Sequence, residues 1–130
     1  MPAASALKVL VVDDQQTIRS LVRTGLQQLG INDVREAADG EDGLRTLLSA
    51  QQVNLVITDF NMPKVDGLEL LRAIRAHPPL AKTAVIMLTG RADRDLVQRA
   101  VQFGVNNYLV KPFTVATLKE KIEAVFGPLK

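Results

Sequence analysis

Five short apolar runs, each followed by a segment of helical periodicity, limit this chain to few architectures. Leu7 to Val12, the weaker Val34 to Ala37, Val53 to Thr58, Thr83 to Leu88 and Asn107 to Val110 have the length and apolar content of strands. After the first run, Ile18, Leu21, Val22, Gly25, Leu26 and Leu29 fall on one helical face. Stripes of the same kind follow at Leu44/Leu47/Leu48, Leu68/Leu71/Ile74, Leu96/Val97/Ala100/Val101 and Val115/Leu118/Ile122/Val125, separated by Gly, Pro or polar residues. Five βα units predict an α/β fold, a parallel sheet covered on both faces by helices and joined by right-handed crossovers. The ligand crevice of such a sheet lies beyond the carboxyl ends of its strands, near a switch in strand order.

At 130 residues the chain suits a single domain. Its 47% hydrophobic and 23% charged residues exclude the composition of a disordered chain, so a real core is expected. The formal charge is only +2 and no Lys/Arg run is present, which argues against nucleic acid as a ligand. The lack of cysteine leaves no disulfide or thiolate site and fits a reducing cytoplasm. No apolar run approaches the ~20 residues that span a bilayer, so no membrane insertion is expected. Residues 1–6 lack the charged and apolar regions of an export signal and are expected to be a tether.

The residues that close the apolar runs carry the chemistry. Asp13 and Asp14 follow the first, Asp59 the third, Thr89 the fourth, and Lys111 with Pro112 the fifth. A doubly wound sheet brings these four strand ends into one crevice. Carboxylates that meet there repel one another, and the usual relief is a hard divalent cation with oxygen ligands, Mg2+ beside phosphate. One carboxylate can then attack phosphorus, because aspartyl phosphates form where charge on the equatorial oxygens is stabilised. The Lys111 ammonium and the Thr89 hydroxyl suit that task, and Gly90 leaves room. Singly, each residue has a plainer reading: Asp14 as a helix cap, Asp59 as a turn former, Lys111 as a solvated loop residue, Thr89 as a strand-end hydroxyl. Their coincidence at four strand ends favours a site.

Val11-Val12-Asp13-Asp14, Glu36-Ala37-Ala38-Asp39-Gly40, Asp59-Phe60-Asn61-Met62-Pro63, Asp66-Gly67-Leu68-Glu69-Leu70-Leu71, Thr89 and Lys111-Pro112-Phe113-Thr114 together resemble the receiver domain of response regulators, and within it the single-domain chemotaxis type. The resemblance runs nearly end to end, with a receiver domain expected over residues 7–128. It implies a flavodoxin-like (βα)5 sheet of strand order 2-1-3-4-5. It also implies Asp59 as phosphoacceptor, with Mg2+ held by Asp14, Asp59 and the backbone carbonyl of Asn61, and by Asp13 through water. Lys111, before a cis Pro112, and Thr89 would bind the phosphoryl group, and Tyr108 would swing into the space that Thr89 vacates. The implied partner surface is Ala92, Arg94, Val97, Tyr108, Val110 and Lys121, with Ala124 where the chemotaxis members are basic. Asn61 and Arg91 occupy the positions that tune phosphoryl lifetime in the family, and Arg91 is expected to reach over the site.

A histidine kinase as phosphodonor, a protein target such as a flagellar motor switch, a phosphatase that ends the signal and a monomeric state follow from the same resemblance. A phosphate sink or a phosphorelay intermediate is the alternative within the family. From another class, a small aspartyl-phosphate phosphatase shares the strand-end Asp and Mg2+, but it places an acid/base Asp where this chain has Asn61. A flavin carrier of like architecture would need a phosphate nest where Asp13-Asp14-Gln15-Gln16 stands. The chain is therefore expected to be a signalling module, not an enzyme with a substrate of its own. His77, ahead of Pro78-Pro79, is expected to be solvated.

Overall fold

The computed structural model describes residues 3–49, 52–62, 64–90 and 94–129. Of the residues singled out above, Pro63, Arg91 and Ala92 lie outside them. The strands are β1 (Lys8–Val12), β2 (Asp33–Ala37), β3 (Leu55–Asp59), β4 (Ala84–Thr89) and β5 (Asn107–Val110). They alternate with helices α1 (Gln16–Gln28), α2 (Gly40–Leu48), α3 (Gly67–Ala76), α4 (Arg94–Gln102) and α5 (Val115–Phe126). All pairings are parallel and the order is β2-β1-β3-β4-β5, the expected flavodoxin-like sheet.

The sheet buries its two faces in separate clusters. Val9, Val11, Ile57 and Ile86 pack with Val22 and Leu26 of α1 and Leu118 and Ile122 of α5. Leu10, Val12, Val56, Val85 and Met87 pack with Leu47 of α2, Leu71 and Ile74 of α3 and Ala100 of α4. The central strands β1, β3 and β4 are therefore apolar on both faces, whereas β2 and β5 each have one strand neighbour and alternate with exposed positions. That alternation is why the second apolar run reads as the weakest.

The structure narrows the helical stripes. Leu21, Leu48 and Val101 are 55%, 54% and 62% exposed. At 3.6 residues per turn each sits about 100° or more from the centre of its helix's buried face, beyond reach of the sheet. Conversely Gly40 and Gly43 belong to the buried face of α2, which apolar spacing alone does not register. In the segment expected to be a tether, Ala4–Ala6 form a single 3-10 turn, and Ala4 is buried in the same cluster as Leu7.

Among the described residues, three helices start on side-chain caps that also fix the loops around the crevice. Asp39 caps α2 by accepting from the Asp42 N–H, and Thr114 caps α5 by accepting from the Thr117 N–H. Asp66 and Glu69 form a reciprocal capping box at α3, with Glu69 N–H donating to Asp66 Oδ1 at 2.8 Å and Asp66 N–H to Glu69 Oε1 at 3.2 Å. No helix among the described residues is long and apolar enough to cross a membrane.

Candidate functional site

The crevice forms where the chain changes direction across the sheet. From β1 it crosses to the edge strand β2, then returns past β1 to β3, so the carboxyl ends of β1 and β3 adjoin with their loops diverging. β3 and β4 each run one residue further than their apolar content suggests, making Asp59 and Thr89 the last residues of strands. Asp59 and Thr89 are 7% and 2% exposed, and Asp13 is fully buried. Backbone bonds hold these ends together: Asp13 N–H donates to Ala37 O, and Lys111 N–H donates to Thr89 O at 2.8 Å.

Asp13, Asp14 and Asp59 each present a carboxylate oxygen within 4.8 Å of the others. Lys111 Nζ donates to Asp59 Oδ1 at 2.8 Å, across a separation of 52 residues, and the Lys111–Pro112 bond is cis as expected. Among the described residues, three carboxylates against one ammonium leave the cluster net negative. Asp13 carries the consequence, its carboxyl pushed up to about 6. Burial is the main cause and the charges of Asp59 and Asp14 add to it, against the Gln15 N–H and Lys111.

Asp13 Oδ1 accepts from the Gln15 N–H at 2.8 Å, while Oδ2 is buried with no hydrogen-bond partner. A buried acceptor left without a donor is costly, and a hard cation among oxygen ligands is the partner that fits it. The acidic pocket can therefore hold a metal ion. Asp14 does not cap α1: the capping position is Gln15, with no side-chain cap, and Asp14 stands exposed at the rim of the cluster. Asn61 stands exposed two residues beyond Asp59.

On the neighbouring face, Thr89, Gly90, Arg94, Val97, Gln98, Tyr108 and Val110 line one cavity of about 360 Å3. Tyr108 is 36% exposed, and Lys121 Nζ lies 4.7 Å from the centre of its ring. The structure thus brings together every described residue of the expected partner surface and sets it against Thr89. A Cβ at Gly90 would meet nothing, so the space there does not depend on the glycine. His77 is exposed at the opposite end of the sheet.

Three contributors escape the sequence. Gly67 at the start of α3 lies so close to β3 that a Cβ there would come within 2.2 Å of the Asp59 carbonyl oxygen. A glycine at the first position of a helix was the available signal. Thr58, fully buried, donates from Oγ1 to that same carbonyl at 3.0 Å. Arg19 of α1 donates from Nη1 to the Asp13 carbonyl at 2.6 Å, and nothing in its local sequence marks it.

The response regulator receiver domain matches this chain over residues 9–123, and the chain belongs to that family. It is 52% identical over 130 residues to the probable chemotaxis protein CheY of Rhizobium etli, covering 100% of both chains. Among solved structures it resembles the chemotaxis response regulator CheY4 of Vibrio cholerae, with a TM-score of 0.84 and 34% identity over 92% of this chain and 98% of that one. It also resembles the receiver domain of the sensor histidine kinase PA1611 from Pseudomonas aeruginosa, solved with a magnesium ion coordinated in the active site cleft. There the TM-score is 0.82 at 29% identity, over 93% of this chain and 98% of that one.

Proposed function

We propose that the chain is a phosphorylation-activated response regulator whose Asp59 accepts the phosphoryl group of a histidine kinase's phosphohistidine. We place it in a chemotaxis-type pathway with a flagellar motor switch as the output partner. The observation that carries the reading is the meeting of Asp13, Asp14 and Asp59 oxygens within 4.8 Å, with Lys111 Nζ 2.8 Å from Asp59. In the transfer an Asp59 oxygen attacks phosphorus and an O–P bond forms. The N–P bond to the donor imidazole breaks, and its electron pair returns to the ring. Lys111 neutralises one phosphoryl oxygen, and Thr89 donates its hydroxyl to another.

Asp13, Asp14, Asp59 and the Asn61 carbonyl would hold Mg2+, which when bound supplies positive charge to the phosphoryl oxygens. The magnesium in the cleft of the Pseudomonas receiver supports that choice of metal. The receiver unit is taken as residues 7–128. A phosphoryl group adds nearly two negative charges and biases a pre-existing equilibrium. Thr89 moving toward it would enlarge the cavity that Thr89 and Tyr108 share, letting the ring move in. Arg94, Val97, Tyr108, Val110 and Lys121 then report the change to the partner. The chemotaxis names of the Rhizobium and Vibrio relatives support that output.

Intact-mass measurement with Mg2+ and acetyl phosphate tests the chemistry: wild type gains ~80 Da, the mass of a phosphoryl group, and Asp59→Asn gains nothing. A wild type that never gains mass would sink the reading. For the output, protein loaded with beryllofluoride is expected to capture a motor-switch component. If phosphoryl groups flow from the kinase but no such capture occurs, the protein is a phosphate sink or relay.

A further inference from the structure

We infer that Arg19, on α1 and outside the acidic cluster, is a positioning residue that sets the affinity of the Asp13–Asp14 pair for its divalent cation. The inference deepens the function proposed above and rests on it. Arg19 touches none of the three carboxylates of the cluster. Its Nη1 donates to the Asp13 carbonyl at 2.6 Å, and its Nε donates to Glu36 Oε1 at 3.1 Å. The side chain is 15% exposed, so it is packed in place.

A peptide unit is planar, so holding the Asp13 carbonyl oxygen fixes the plane from which Asp14 departs. The other anchors of this turn are the Asp13 amide on Ala37 O and Asp13 Oδ1 on the Gln15 N–H. The second closes an Asx turn through the Asp13–Asp14 peptide, and the Arg19 bond holds that peptide's oxygen from outside the turn. Asp14 is exposed, and no cap bond holds it, so its place near Asp13 and Asp59 depends on that plane.

Glu36 in turn locks the guanidinium. Its second oxygen accepts from Arg23 Nε at 2.7 Å, and Arg23 also donates to Val34 O. Burial works against ionisation of Glu36, yet the bonds from Arg23 and Arg19 hold its carboxyl below the usual range. The chain of contact therefore runs from the edge strand β2 through Glu36 and Arg19 to the metal-facing turn. Arg23 shares Glu36 but makes no contact with Asp13, which supplies an internal control.

Mg2+ binding to the full chain, followed by titration calorimetry, tests the inference. Outer-shell partners of metal ligands are worth about 10-fold or more in affinity, and Arg19→Met is expected to weaken Mg2+ by about 10-fold. Arg23→Met should stay within about 2-fold of wild type. In the acetyl phosphate reaction, Arg19→Met raises the Mg2+ concentration for half-maximal rate by the same factor and leaves the rate at saturating Mg2+ unchanged. A general loss of structure would lower both.

If Arg19→Met does not fold, Arg19→Gln is the variant to measure, since its shorter side chain cannot hold both partners and should lose a similar factor. Equal Mg2+ affinity in wild type and the folded Arg19 variant overturns the inference alone, as does an equal loss in Arg23→Met. A wild type that neither binds Mg2+ nor gains phosphoryl mass overturns it together with the function it rests on.

Discussion

With its carboxyl pushed up to about 6 from 3.8, mainly by burial, Asp13 holds its proton more tightly in the folded chain than in the unfolded one. Its contribution to stability is fully present below about pH 4 and lost as pH rises through about 6. In EDTA at pH 7.5 the ionised group costs on the order of 2–3 kcal/mol. Asp13→Asn is therefore expected to be more stable than metal-free wild type at pH 7.5, with the gap closing toward pH 4. Urea melts of both proteins across that range check it, and added Mg2+ should stabilise the wild type far more than the variant. Glu36 works in the opposite sense and at lower pH, because its lowered carboxyl stabilises the fold above its ordinary range, and it cancels in the comparison. Lys111→Met removes the ammonium bonded to Asp59, and the rate of mass gain from acetyl phosphate should fall about 100-fold, as for loss of a donor to developing charge.

Helix α3 shows how an element places a site residue that it does not contain. Its capping box fixes the entry of the chain, and Gly67 lets the helix start against the Asp59 carbonyl. Asp66→Ala is expected to cost about 1 kcal/mol of stability, the usual worth of a cap, with phosphorylation nearly unchanged. Gly67→Ala must push its Cβ out of contact with β3 backbone, which has no flexible end to give way. It should cost about 1–3 kcal/mol as overpacking does, and it should slow phosphorylation as well by displacing Asp59. Denaturant melts beside intact-mass time courses separate the two effects. The stripes of α1, α3, α4 and α5 were legible because amphipathic spacing is local. The role of Gly67 was not, since a close approach is a property of two elements and not of either sequence.

In the whole molecule the order β2-β1-β3-β4-β5 makes β1, β3 and β4 central and leaves two edges. Amides of the central strands are expected to exchange with solvent only on global opening, and those of β2 and β5 earlier. Hydrogen exchange read by mass spectrometry checks the ranking, and β1 exchanging as fast as β5 would contradict the packing described here. The same order puts the acids of β1 and β3 side by side and sets Lys111 and Thr89 beyond them. Under the proposed function the rigid part of the sheet would carry the phosphoryl chemistry. The proposed reporting face lies toward the β5 edge, where Tyr108 and Val110 are exposed.

The sequence by itself determined the alternation of five βα units and the polar residue that closes each key strand. Both are written in the spacing and identity of near neighbours. The family motifs Asp13-Asp14, Asp59 and Lys111-Pro112 are short enough to read in the same way. Only the tertiary structure decided that Asp13 is the buried acid with an orphaned oxygen while Asp14 stands at the rim. It also decided that Asp14 caps nothing, and that Arg19 and Gly67 shape the site from outside it. Those facts depend on how elements pack against one another, even where the residues are near in sequence, as Arg19 and Asp13 are, and more so for Lys111 and Asp59, 52 residues apart. Packing sets such distances, and no local pattern encodes them.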